Sequence, residues 1–81
     1  MPSELAADFV ARANLSAVLN RLASLDRRIC NSIRSQRIRL THIYTLRFFV
    51  DGQRFDLVVD ALDVDWASVE SVATEVALAY L

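Results

Sequence analysis

The sequence contains no lysine. All nine of its basic residues are arginine, and it has one histidine, one cysteine, one glycine and one proline. A single cysteine, Cys30, cannot close an internal disulfide, so a reducing compartment is expected. So little glycine and proline in a chain that is 54% apolar argues against disorder. No apolar run approaches the ~18 residues that cross a bilayer. No signal-peptide pattern is present either. A soluble, intracellular protein with no membrane partner is the expectation. There is no nucleotide-binding loop, no metal-ligand spacing and no nucleophile motif. Neither an enzyme nor a cofactor or metal site is expected.

The missing lysine has two compatible readings. One is compositional: nucleotide bias, or a gene sharing its frame with another. The other is chemical, since the forked guanidinium fits phosphate better than an ammonium does.

The 81 residues form a single domain, 1–81. A domain of this size buries only a little over ~60% of its unfolded surface and is marginal. A homodimer is the simplest source of further core.

Net charge is -1, but its distribution is uneven. From Met1 to Asp26 two arginines stand against three acids. From Arg27 to Val50 there are six arginines and no acid. From Asp51 to Leu81 one arginine stands against seven acids. Such asymmetry marks docking surfaces in a way that total charge does not.

The fold class expected is α+β, in the order α-β-β-α. Ser3 is a plausible N-cap, with Glu4 in the first turn where the helix dipole favours an acid. Leu5, Phe9 and Val10, with Ala6 and Ala13, form an apolar stripe. Leu15, Val18, Leu22, Leu25 and Ile29 then alternate three and four apart, a seam of the kind helices use to pair. These five are the predicted dimer interface. The helix reaches as far as Ser35, either unbroken or interrupted near Asn14, where Asn14 or Ser16 offers a fresh cap.

The clearest pattern is "RIRLTHIYTLRFFVDGQRFDLVVDAL". Ile38, Leu40, His42, Tyr44, Leu46, Phe48 and Val50 fall on one side at period two. Asp51-Gly52 then separates two alternating runs, a strong hairpin signal. A type I′ turn there sets Val50 against Gln53, Phe48 against Phe55, Leu46 against Leu57 and Tyr44 against Val59. Arg47 lies opposite Asp56 on the other face. The start of this strand, Arg37 to Thr41, outruns its partner and is free to pair with another copy. "DVDWASVESVATEVALAYL" reads as a C-terminal helix capped by Asp63 or Asp65. Trp66, Val69, Val72, Ala73, Val76 and Tyr80 form its packing face, and Trp66 staples it to the hairpin.

Three features bear on chemistry. His42, on the apolar side of a strand, reads as a hydrogen-bonded core or interface residue. Cys30 reads as an inert, semi-buried thiol on the helix flank. Asp60, Asp63 and Asp65 have the spacing of a calcium loop's start, but the glycine and the remaining ligands are missing, so capping is the better reading.

What remains is "LNRLASLDRRICNSIRSQ". In the heptad frame of the seam, Asn20, Arg21, Arg27, Arg28, Arg34 and Ser35 lie on the far side, with Ser24 and Asn31 beside them. Arg21 and Arg28 are two turns apart, ~10.5 Å along the axis. Arginine forks flanked by small hydrogen-bonders suit phosphate and ribose oxygens without asking for a base. Double-stranded RNA is recognised in this way. On composition alone, a solvated face, or one that pairs with the acidic C-terminal half of a neighbour, fits slightly better. A small dimeric adaptor or chaperone, docking through that acidic half or the hairpin's open edge, is the alternative function.

The segment Leu19, Asn20, Arg21, followed by Arg28, Ile29, Cys30, Asn31, Ser32 and Ile33, resembles the RNA-binding helix of the small RNA-silencing suppressor proteins of insect nodaviruses. The opening Met1 to Ala6 is similar to the start of one branch of that family. The resemblance covers about fifteen residues. It implies a viral protein that acts in the host cytoplasm. Such proteins are homodimers that bind double-stranded RNA through paired helices, without sequence preference, and shield it from host silencing proteins, which are further partners. Their genes overlap the polymerase frame, which suits the lysine-free composition. Matched position by position, Asn20, Arg21, Arg28 and Ser32 would contact RNA. Ser24, Arg27, Asn31 and Arg34 join them from the arginine face alone. The best-known members are all-helical, and the hairpin sets this chain apart from them.

Overall fold

Ala11, Leu15, Val18 and Leu22 recur three and four apart, and this spacing fixes the packing face of the first helix. In the computed structural model, which describes residues 3–30, 36–37 and 41–81, that helix is α1, Ser3–Leu25. All four side chains, and Leu19 beside them, are buried. Asn14 causes no interruption. Its side-chain amide donates to the Val10 carbonyl at 2.9 Å, one turn back within the helix.

α1 ends ten residues before the expected limit at Ser35. Asp26 explains the stop. Its carboxylate accepts the Arg28 backbone N–H at 2.8 Å, and its carbonyl accepts Ile29 N–H at 3.0 Å. This is a local turn that competes with helix continuation. The chain then extends. β1, Ile29–Cys30, and β2, Gln36–Arg37, both pair antiparallel with β3, Ile43–Val50. β3 in turn pairs with β4, Gln53–Asp60. The hairpin is therefore not a lone two-stranded sheet, which would be marginal. Arg37, expected in an unpartnered overhang, faces Tyr44 of its own chain. Ile38 and Leu40 lie outside the described residues.

The β3–β4 register is the one the turn dictates: Val50 with Gln53, Phe48 with Phe55, Leu46 with Leu57, Tyr44 with Val59. Asp51 at φ 49 and Gly52 at φ 85 supply the left-handed pair that a type I′ turn needs. The inner face, Tyr44, Leu46, Phe48 and Val50, is buried with Ile29 and Val59 against the helices. Phe48 stacks on Phe55 with ring centroids 5.7 Å apart. Arg47 and Asp56 meet on the outer face, Nε to Oδ1 at 2.9 Å.

α2, Trp66–Ala79, is capped by Asp65, whose carboxylate accepts Ala67 N–H. Trp66, Val69 and Val76 pack on the core as expected, around buried Ala73 and Ala77. Val72 is exposed, and Tyr80, half exposed, lays its ring against Phe55 with centroids 4.7 Å apart. The result is a two-layer α+β domain with both helices contributing to one core.

Two further expectations are corrected. Phe9, 70% exposed, and Val10 point away from the core, and Asp8 and Ala11 take the buried positions. The longer run from Ala11 to Leu22 sets the helix face, and Phe9 falls on its far side. The seam assigned to a dimer is also used within the chain. Leu15, Val18 and Leu22 face the sheet, Ile29 is buried on β1, and Leu25 is exposed. Of the five, only Leu25 is left for a second subunit to reach.

Candidate nucleic-acid interface

Two arginine pairs two turns apart require one continuous helix, and α1 stops at Leu25. The predicted contacts therefore split. Asn20, Arg21 and Ser24 are exposed on the last turns of α1. Arg27 and Arg28 are exposed in the turn that follows. Asn31, Ser32 and Arg34 lie outside the described residues.

Within the first group, Arg21 reaches across to α2 and pairs with Glu70. Glu75 lines the same groove, so Arg21, although exposed, has two acids beside it. The Ser24 hydroxyl donates to the Arg21 carbonyl at 2.7 Å.

Arg28 is held most firmly. Its Nε donates to Asp26 Oδ1 at 3.1 Å and its Nη2 to Asp26 Oδ2 at 3.2 Å. Nη1 reaches the Leu81 carbonyl at 3.1 Å. The hydrogen bonds from Arg28 hold the Asp26 carboxyl below its usual value, and the same pairing raises Arg28. Arg28 thus ties the α1–β1 turn to the chain's last residue. Arg27 has no carboxylate within ion-pair distance among the described residues.

A different one-signed surface emerges on α1. Arg12, Ser16, Asn20 and Ser24 follow one another at intervals of four, and all are exposed. Each step is ~6 Å along the axis. No carboxylate among the described side chains of α1 is exposed, because Asp8 is buried. Arg12, like Arg27, is without a carboxylate partner among the described residues. The interval of four was available in the sequence. The heptad frame concealed it by extending the helix too far.

Asp8 belongs to a separate cluster. The Tyr44 hydroxyl donates to Asp8 Oδ1 at 2.9 Å. His42 Nδ1 lies 3.2 Å from each Asp8 oxygen. His42 is thus a hydrogen-bonded, part-buried residue, and the cluster fastens the start of α1 to the start of β3. Cys30 is exposed on β1 rather than semi-buried on a helix. Asp60 accepts Leu62 N–H, and Asp65 accepts both Ala67 N–H and the Ser68 hydroxyl, so these carboxylates serve the loop and the cap. Among the described residues no group of three His, Cys, Asp or Glu is placed to hold a metal ion. No helix among them is long and apolar enough to cross a membrane.

The fold and surface together define a small two-layer α+β domain with a basic flank and an acidic C-terminal half. No family model, curated protein or solved structure matches the chain.

Proposed function

We propose that this protein binds double-stranded RNA without sequence preference and shields it from host processing, as a viral suppressor of RNA silencing. One observation carries the reading. The exposed flank of α1 offers Arg12, Ser16, Asn20 and Ser24 with no exposed carboxylate among its described side chains, and it leads into a stretch, Arg27 to Val50, with six arginines and no acid. Charge and small hydrogen-bonders, without base-reading amides in pairs, suit backbone and 2′-hydroxyl contacts. The resemblance at Leu19 to Ile33 names the same ligand. Arg28 and Arg21 have structural partners, so Arg12 and Arg27 are the contacts to test.

The experiment is a gel shift with RNA duplexes of several unrelated sequences across a salt series. Arg12→Ala and Arg27→Ala should weaken all duplexes alike, and each should lower the salt slope by about one. Binding that ignores both substitutions, or a strong preference for one sequence, would sink the proposal.

A second reading, a protein-interaction adaptor or chaperone, has its own observation. Val58, Val72, Leu78 and Tyr80 are exposed among the acids of the C-terminal half. A purified protein free of nucleic acid, with a thermal midpoint unmoved by duplex RNA, would favour it.

A further inference from the structure

The two sides of this sheet are finished differently. On one side β1 and β2 are two residues each, and they pair with β3 out of phase. Cys30 faces Phe49, and continuing that register would bring Arg34 opposite Thr45, yet Gln36 stands there. Short, broken strands make a poor template for another chain. On the other side β4 runs eight residues without proline or a bulge, its charges Arg54, Asp56 and Asp60 all on the outer face, and among the described residues it pairs with β3 alone. That is an open edge, guarded only by charges of both signs, which a partner of matching register can pair.

The hydrogen-bonding phase of the edge follows from the ladder. Ala61 N–H donates to the His42 carbonyl at 2.8 Å across the same strand pair. Odd positions of β4 therefore bond to β3. Positions 54, 56, 58 and 60 turn their N–H and C=O outward. Val58 among them is 71% exposed, and Val72 of α2, 46% exposed, overhangs beside it. An apolar groove lined by Leu57, Val58, Val59, Val69 and Val72 runs between the edge and the helix.

We infer that β4 pairs antiparallel with β4 of a second copy of this chain, about a two-fold axis at Leu57, joining two sheets into one and laying the two α2 helices side by side over the groove. Charge chooses the register. To keep both helix layers on one side, outer-face residues must oppose outer-face residues. Centring on Leu57 sets Arg54 opposite the partner's Asp60, twice by symmetry, with Asp56 opposite the partner's Val58. On the inner face Leu57 meets its own copy and Phe55 meets the partner's Val59. All four outward-facing positions then exchange backbone hydrogen bonds. Centring on residue 56 would oppose Asp56 to itself. Centring on residue 58 would oppose Asp56 to Asp60. Centring on residue 55 recovers an Arg54–Asp56 pair but joins only residues 53 to 57. The Leu57 register alone combines opposite charges with full overlap. The inference stands whether or not the ligand is RNA.

Sedimentation equilibrium of the full chain at high micromolar concentration tests it. The wild type should have twice the 9.1 kDa chain mass. Arg54→Asp, which sets two carboxylates opposite each other twice, should weaken the dimer about tenfold. Arg54→Asp combined with Asp60→Arg should restore it. Val58→Pro removes an N–H that the chain's own ladder does not use, and should give a monomer with an unchanged circular-dichroism spectrum. A wild type of 9.1 kDa would overturn the inference. So would a dimer that Arg54→Asp leaves intact or that the charge swap fails to restore. If Val58→Pro does not fold, the swap pair decides alone.

Discussion

Among the described residues Asp8 is the one charged side chain in the core, 5% exposed among apolar neighbours. Its place is held by the Tyr44 hydroxyl and the His42 ring. Asn at this position keeps the shape but leaves one neutral acceptor and puts a donor NH2 where the other oxygen was. Asp8→Asn should cost about 1–3 kcal/mol, and Tyr44→Phe about 1 kcal/mol, measured by urea unfolding. The two effects should be non-additive, since they share one contact. His42 was legible as a hydrogen-bonded residue because a lone histidine on an apolar strand face needs a partner. Its partner was not singled out, although the seven-residue step from Leu22 to Leu15 continues back to Asp8. Gly52 isolates a different cost. Its φ is +85, and a Cβ there meets nothing within 4 Å. Gly52→Ala should therefore cost about 1–2 kcal/mol by backbone strain alone, with no packing contribution, again read by urea unfolding.

At the scale of elements, two carboxylates make the turn and hairpin acid-sensitive. Asp26 is held low by hydrogen bonds from Arg28, and Asp56 by those from Arg47. Each binds its proton less readily folded than unfolded. Their contribution is therefore complete above the usual carboxylate value of 3.8 and drains away as pH falls through the lower folded value. Thermal midpoints should drop below about pH 4, and the drop should be shallower in the double variant Asp26→Asn, Asp56→Asn. A profile identical to the wild type's would exclude both pairs. The Arg47–Asp56 pair was readable because turn chemistry and alternation agree on one register. The end of α1 was not. Leu22, Leu25 and Ile29 keep helical spacing across the boundary, and a two-residue strand has no period to announce itself. What makes Ile29 a strand residue is Val50, distant in sequence. The arginine face was framed on a longer helix for the same reason: Arg21 lies on α1, while Arg27 and Arg28 follow its end at Leu25.

At the scale of the molecule, the order helix, sheet, helix was legible because each element carries its own pattern. β1 and β2 depend on pairing across the chain, which no local pattern records. The seam that suggested a dimer turned out to be core, so self-association must use what the fold leaves uncovered. If β4 joins two copies, stability is linked to concentration. Diluting the wild type a hundredfold should lower its thermal midpoint, while the midpoint of Val58→Pro should stay fixed. Equal behaviour of the two would contradict a β4 joint.

The unequal edges of the sheet also decide how far assembly can go. Among the described residues each copy has one long open side, β4, and one side where β1 and β2 pair with β3 in two different registers. In the language of polymers it is monofunctional: once β4 meets β4, no reactive end is left. A sheet that would otherwise be a seed for fibres becomes its own chain terminator, and growth stops at two.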